Sequence, residues 1–99
     1  MNQHRILFDM QKSTKQPDWD DLRFFLEVVR AGTASAAAKR LGVDYTTVAR
    51  RIRALEEAMS ALLFDKSRST GFTLTQDGQQ LVSHAETMEG AMQAACEQV

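Results

Sequence analysis

The sequence predicts a mainly α fold: a winged helix-turn-helix of three helices and a small β-hairpin wing, followed by a long dimerisation linker helix. Three observations support it. Apolar residues recur at helical spacing in three short segments before Ser60, alternating residues follow a turn-rich stretch, and a heptad-like apolar row runs through the last segment. We divide the chain into a leader that we expect to be flexible (residues 1–17), the winged helix-turn-helix (18–75) and the linker helix (76–99).

The first two predicted helices each have a start signal, an apolar stripe and a glycine stop. Asp18 suits the N-cap of the first helix and Gly32 its end, while Thr33 or Ser35 suits the N-cap of the second and Gly42 its end. The two expected buried stripes are Leu22, Phe25, Leu26 and Val29, and Ala34, Ala37, Ala38 and Leu41. The small side chains of the second stripe allow another helix to approach closely.

A third helix is predicted to begin after Asp44, whose side chain suits an N-cap. Val43 and Val48 occupy the positions of a hydrophobic staple across that start. The expected buried stripe of this helix is Val48, Ile52, Leu55 and Met59. Two helices joined by a tight turn that contains glycine are the signature of a helix-turn-helix.

The segment after Ser60 reads as a β-hairpin followed by a helix that Thr75 caps. A short apolar run (residues 62–64), turn-forming residues (67–71) and an alternating stretch (72–75) predict the hairpin. In the last helix, an apolar row steps by four and three residues: Leu81, Ala85, Met88, Met92, Ala95 and Val99. This spacing favours a coiled-coil seam with a second copy. The alternative is a helix that folds back on its own domain.

The positive charge lies in one block in the middle of the chain, although the net charge is −1. Residues 33–71 carry seven Lys and Arg against four Asp and Glu, a local net charge of +3. Residues 72–99 carry four acidic residues and no Lys or Arg. Because phosphate binding depends on local basic residues, the acidic end does not argue against a nucleic-acid partner.

The third helix is expected to read DNA with the face opposite its buried stripe. An α-helix fits the major groove, where each base pair presents its own pattern of donors and acceptors. At 100° per residue, the outward face has short side chains near its start and arginines further along: Thr46, Ala49, Arg50 and Arg53, flanked by Tyr45 and Thr47. A solvated basic face is the alternative interpretation. Arg51 also suits an ion pair with Glu57 or with a neighbouring helix.

Further DNA contacts are predicted at the start of the second helix and on the wing. Thr33 and Ser35 can donate to phosphate where backbone N–H groups also point outward, although both also suit a purely capping role. Lys66 and Arg68 on the wing can follow the DNA backbone or enter the minor groove.

Other function classes find little support in the sequence. We find no phosphate-binding loop, no metal-ligand cluster and no paired nucleophile and base, and therefore expect neither an enzyme nor a metal site. Cys96 is the only cysteine, and no run of about eighteen apolar residues suggests a membrane span. We expect a cytoplasmic protein. A winged-helix module for protein–protein association is the alternative function.

Several separate pieces of the sequence resemble the N-terminal domain of the LysR-type transcriptional regulators. The matching pieces are Leu22 with Phe25, Ala37-Ala38, Leu41, Thr47-Val48, the run from Arg50 to Leu55-Glu56, Leu63-Phe64, and Leu74-Thr75 with Gly78. At Asp44-Tyr45-Thr46 the family commonly shows Ser-Gln-Pro, so the base preference of typical members does not carry over to this chain.

The resemblance implies a bacterial regulator whose linker helix pairs antiparallel with a second subunit. Such homodimers place two reading helices on an interrupted inverted repeat of double-stranded DNA. The family normally continues into an α/β effector domain that binds a small co-inducer. This chain stops before that domain, so we expect a fragment that carries no cofactor of its own.

Overall fold

The computed structural model describes residues 17–66 and 73–98. Within these residues the chain forms α1 (Trp19–Ala31), α2 (Ala34–Leu41), α3 (Tyr45–Met59), β1 (Phe64–Asp65), β2 (Thr73–Leu74) and α4 (Gln76–Gln98). The strands pair antiparallel, with Phe64 opposite Leu74 and Asp65 opposite Thr73. The predicted mainly α winged helix-turn-helix with a long following helix is therefore confirmed. Residues 1–16, Arg68 and Val99 lie outside the described residues.

Local hydrogen bonds explain where the first two helices begin and end. The Asp18 carboxylate accepts from the backbone N–H of Asp21 (2.9 Å), and the Thr33 hydroxyl accepts from that of Ala36 (3.0 Å). Both helices stop at a glycine in the left-handed region, Gly32 at φ 89° and Gly42 at φ 70°. A side chain with a Cβ rarely adopts this conformation, so glycine is well suited to both ends. Thr33, and not Ser35, is the N-cap.

The start of α3 differs from the prediction. Asp44 occupies the N-cap position, but its side chain makes no capping hydrogen bond. A capping carboxylate would accept a hydrogen bond from the backbone N–H of Thr47. This N–H donates instead to the backbone carbonyl of Asp44, at 3.1 Å. The predicted side-chain cap is therefore wrong, and the first turn of α3 is closed by backbone contacts.

The core lies where α1, α2 and α3 meet. Phe25, Leu26, Ile52 and Leu55 are buried almost completely, and the small side chains of Ala37 and Ala38 allow α2 to pack closely. Val29 and Leu41, the last residues of two predicted stripes, are only partly buried.

Met59 was predicted to be buried, but it is 39% exposed. The helix ends at Ser60 in the left-handed region, and the chain turns back so that Leu63 and Phe64 enter the core instead. The Phe64 ring packs 5.4 Å from that of Phe25.

A network of hydrogen bonds joins α3, the wing and α4. The buried Glu56 carboxylate of α3 accepts from the backbone N–H of Leu63 (2.9 Å). The Thr75 hydroxyl donates to the Leu62 carbonyl (2.7 Å) and accepts from the N–H of Gly78 (3.0 Å), which confirms Thr75 as the cap of α4. Gly78 presses so closely on the Leu63 carbonyl that a Cβ at this position would collide with it.

The predicted seam of α4 divides into two parts. Leu81 and Ala85 are buried in the core of this chain itself, so these two residues do not lie on a free dimerisation face. Met88, Met92 and Ala95 are exposed. Apolar residues spaced by four and three over two turns fit packing against the same chain as well as against a partner chain. The spacing alone therefore does not distinguish between these two kinds of packing. Among the described residues, no helix is both long and apolar enough to cross a membrane.

Candidate nucleic-acid interface

The outward face of α3 is polar and basic, and it lies opposite the side that enters the core. Val48 and Ile52 are buried, whereas Thr46, Arg50 and Arg53 are exposed. Tyr45 is 52% exposed at the helix start. Thr47 and Ala49 are half-buried at the edges of the face. Of the α3 residues that the sequence predicted for DNA reading, all but Thr47 line one common cleft: Tyr45, Thr46, Ala49, Arg50 and Arg53.

A shallow cleft of about 400 Å³ runs between this face and the wing. It is lined by Tyr45, Thr46, Ala49, Arg50, Ile52, Arg53 and Lys66. Lys66 follows directly after β1, and it lines the cleft together with residues of α3. The lining combines three basic side chains with short polar and apolar ones. Such a surface suits phosphate oxygens and base edges together.

Arg51 belongs to the scaffold and not to the outward face. Its Nη1 donates to the Asp21 carboxylate of α1 at 3.2 Å, and its guanidinium lies 5.0 Å from the centre of the Phe24 ring. Of the two ion pairs that the sequence left open, the one with a neighbouring helix is present. This pair connects α3 to α1, and it leaves Arg50 and Arg53 as the outward-facing arginines of α3.

The start of α2 presents Thr33 and Ser35 next to each other. The Thr33 hydroxyl accepts a hydrogen bond from the Ala36 N–H, and a hydroxyl in this position can also donate its proton to a phosphate oxygen. Ser35 is exposed in the first turn, where helix N–H groups favour anions. In the last turn of α2, Lys39 and Arg40 add positive charge. Within the described residues, no group of three His, Cys, Asp or Glu side chains is placed to hold a metal ion.

An ion pair joins the end of α1 to the middle of α4. Arg30 donates to both carboxylate oxygens of Glu89, at 3.0 and 2.7 Å, and lies 3.9 Å from the Glu86 carboxylate. The hydrogen bonds from Arg30 hold the pKa of Glu89 below its usual range, and those to Glu89 raise the pKa of Arg30. The sequence did not reveal this pair.

The sequence of the chain matches one protein-family model. Residues 19–79 match the model of the bacterial regulatory helix-turn-helix proteins of the lysR family, and this stretch includes more than half of the chain. The chain belongs to the lysR family. Its matched part contains α1 to α3, the wing strands and the first turn of α4.

Relatives in the lysR family are transcription regulators. The Mau operon transcriptional activator of Paracoccus denitrificans is 45% identical over 47 residues, 48% of this chain and 17% of that protein. A probable hydrogen peroxide-inducible genes activator of Mycobacterium leprae is 36% identical over 85 residues, 86% of this chain and 27% of that protein. The chain thus spans between about a sixth and about a quarter of the length of these relatives.

The solved structure of the CbnR DNA-binding domain in complex with DNA has the same fold. It superposes with a TM-score of 0.77 at 28% identity, covering 83% of this chain and 93% of that one. Together with the family match, this likeness identifies the part formed by α1 to α3 and the wing, which we call the head, as the DNA-binding domain of a lysR-family transcription regulator.

Proposed function

We propose that this lysR-family domain binds an interrupted inverted repeat of double-stranded DNA as a homodimer, with α3 in the major groove of each half-site. The observation that carries the proposal is the outward face of α3, where Arg50 and Arg53 lie exposed opposite the buried Val48 and Ile52. A protein-binding face would more often present aromatic and aliphatic anchors, so protein association is not favoured as the function of this surface.

The side chains of α3 divide into two roles. Thr46 and Ala49 are short, which permits the helix start to approach the base edges closely, and Tyr45 and Thr47 flank them. Arg50 and Arg53 have the planar fork that matches guanine O6 and N7 or a phosphate group. The first group sets the fit in the groove, and the second supplies most of the hydrogen bonds to DNA.

Phosphate contacts on both sides of α3 fix its register. Thr33 and Ser35 approach one strand from the start of α2, where the helix dipole also favours anions. Lys66 approaches the duplex from the wing, and Arg68, outside the described residues, is proposed to do the same. Contacts of this kind position the protein without selecting sequence.

The proposed homodimer uses the exposed part of the α4 seam. Met88, Met92 and Ala95 lie on its accessible half, and Val99 continues the same row outside the described residues. Leu81 and Ala85 support the dimer only indirectly, because their packing in the core anchors α4 to the head. We further propose that the whole regulator acts in the bacterial cytoplasm on the nucleoid, and that a separate effector domain binds its co-inducer.

Selection of duplexes from a random pool, followed by binding assays on the selected duplex, tests the DNA proposal. Arg50→Ala is expected to weaken binding about 10- to 100-fold, because an arginine that contacts a base contributes about 1–3 kcal/mol of discrimination. The matched control is Arg23→Gln, which removes one charge from an arginine paired with Asp20 inside α1. Affinity also should fall steeply with salt. Unchanged affinity of a folded Arg50→Ala protein, or a salt slope near zero, would contradict the proposal.

Sedimentation at matched concentrations tests the dimer. Met88→Lys places a charge in the exposed row and is expected to shift the protein towards monomer. The control Gln79→Lys introduces the same charge on an exposed site outside the row. A wild-type protein that sediments as a monomer at every concentration would reject the dimer.

A further inference from the structure

The second half of α4 is held to the head in a different way from the first half. Gly78, Leu81 and Ala85 are buried, but from Glu86 onwards the helix is exposed, except for the half-buried Glu89. At a rise of 1.5 Å per residue, residues 86–98 form an arm about 20 Å long. Among the described residues, the hydrogen bonds and ion pairs that join this arm to another helix are those of Arg30.

The geometry of this contact restricts orientation as well as distance. Both terminal nitrogens of Arg30 contact Glu89, one on each oxygen, at 3.0 and 2.7 Å. A planar fork bound to a planar carboxylate fixes the relative direction of the two side chains, which a single lysine contact would not do. Arg30 lies in the last turn of α1, close to the start of α2. The contact therefore relates the direction of the arm to the helix-turn-helix.

Small changes in the direction of this arm have large effects at its end. A rotation of about 10° around Ala85 displaces the tip of an arm of about 20 Å by roughly 3.5 Å. This displacement is close to the 3.4 Å rise of one base pair. In a dimer joined through the two arms, the tilt of each arm determines how far apart the two reading helices lie.

We propose that the Arg30–Glu89 pair fixes the tilt of α4 against the head and thereby narrows the range of half-site spacings that the dimer accepts. The proposal rests on the proposed function, because it requires a dimer with one reading helix on each half-site. Arg30 and Glu89 are positioning residues here. They act through the direction of α4 and need not contact DNA.

The test compares affinities for a series of duplexes. The duplex selected by the wild-type protein is synthesised with its half-sites at the selected spacing and at one base pair less or more. We expect Arg30→Gln and Glu89→Gln to reduce the affinity ratio between the best and the altered spacings by roughly fivefold, the lower end of coupling between distant sites. The exchanged protein, Arg30→Glu with Glu89→Arg, should recover discrimination. Glu86→Gln is the control, because its carboxylate lies beyond hydrogen-bond distance.

Two further measurements separate this inference from the proposed function. A duplex with one half-site reports binding by a single α3. If the wild-type protein binds neither this duplex nor the selected one, the proposed function fails and the spacing role fails with it, whereas intact binding together with unchanged spacing ratios in Arg30→Gln rejects the role of the pair alone. Spin labels on Cys96 and on Lys39→Cys, diluted with unlabelled protein, report the direction of the arm without DNA. A broader distance distribution in Arg30→Gln supports the proposal. An unchanged distribution, or an affinity loss equal at all spacings, overturns it.

Discussion

The helix-turn-helix head and the projecting arm of α4 (residues 86–98) are held by different kinds of contact. In the head, Phe25, Val48 and Leu55 are removed from solvent, and the Arg51–Asp21 pair is partly buried. In the arm, side chains are exposed and the tie to the head is a surface ion pair. Burial stabilises in proportion to apolar area, whereas exposed ion pairs contribute little to stability. A single chain therefore fixes the position of α3 more firmly than the direction of its arm.

The largest predicted effect concerns the core of the head. Phe25→Ala removes a fully buried ring that packs on Phe64, and it should lower the free energy of unfolding by about 3–5 kcal/mol. Denaturant unfolding followed by circular dichroism measures the change. Met92→Ala, at a side chain 50% exposed on the arm, is the matched control and should leave unfolding of the monomer almost unchanged. Equal losses in both variants would show that the arm is as firmly packed as the head.

The next prediction separates the two neighbouring arginines of α3. Arg51→Ala removes the hydrogen bond to Asp21 and the contact with Phe24, and should lower the free energy of unfolding by about 1–3 kcal/mol. Arg50→Ala should change it by less than about 0.5 kcal/mol, because Arg50 is exposed. DNA affinity at a concentration where both proteins are folded should show the reverse order. If Arg51→Ala lost more DNA affinity than Arg50→Ala, the purely structural role that we assign to Arg51 would be contradicted.

Two glycines of α4 extend the comparison, because alanine should lower the free energy of unfolding at one of them and raise it at the other. Gly78→Ala would drive a Cβ into the Leu63 carbonyl, and shifting this backbone should cost about 1–3 kcal/mol of unfolding free energy. Gly90 has open space around its Cβ position, so Gly90→Ala should favour the helix by about 0.5–1 kcal/mol. Thermal unfolding and helix content measure both changes. A stabilising Gly78→Ala would contradict the close packing of α4 on the wing.

The head was largely predictable from the sequence because its signals are local. Asp18 and Thr33 cap amides three residues away, and the stripes of α1 and α2 follow one helical period. Asp44 shows the limit of this reasoning. Residue type alone does not determine whether the Thr47 N–H donates to the side-chain carboxylate or to the backbone carbonyl of Asp44. The outward face of α3 followed from the same periodicity as its buried face.

The arm was less predictable because its contacts are distant in sequence. Arg30 and Glu89 are 59 residues apart, and nothing in either local pattern points to the other. The spacing of Leu81 and Ala85 fits a partner helix as well as the core that buries them. Arg51 presented the same ambiguity until the position of Asp21 on α1 decided it.

The smallest predicted effect is the pH dependence of the tie between arm and head. The hydrogen bonds from Arg30 lower the pKa of Glu89 in the folded protein. A lowered folded pKa means that the stabilisation is fully present above the pKa of the unfolded state and is lost as the pH falls through the folded value. Near neutral pH, Glu89→Gln should therefore lower the melting temperature slightly, and in acid below the carboxyl range this difference should disappear.

A double-mutant cycle isolates this contribution from the other carboxylates. Melting temperatures of the wild type, Arg30→Gln, Glu89→Gln and the double variant yield the coupling between the two side chains at each pH. Glu86 and Glu27 also act on Arg30, and both remain in all four proteins, so their own protonation largely cancels. The coupling should be positive near neutral pH and fall to zero in acid. A coupling that persists after Glu89 is protonated would mean that packing, and not the charged hydrogen bonds, holds the arm to the head.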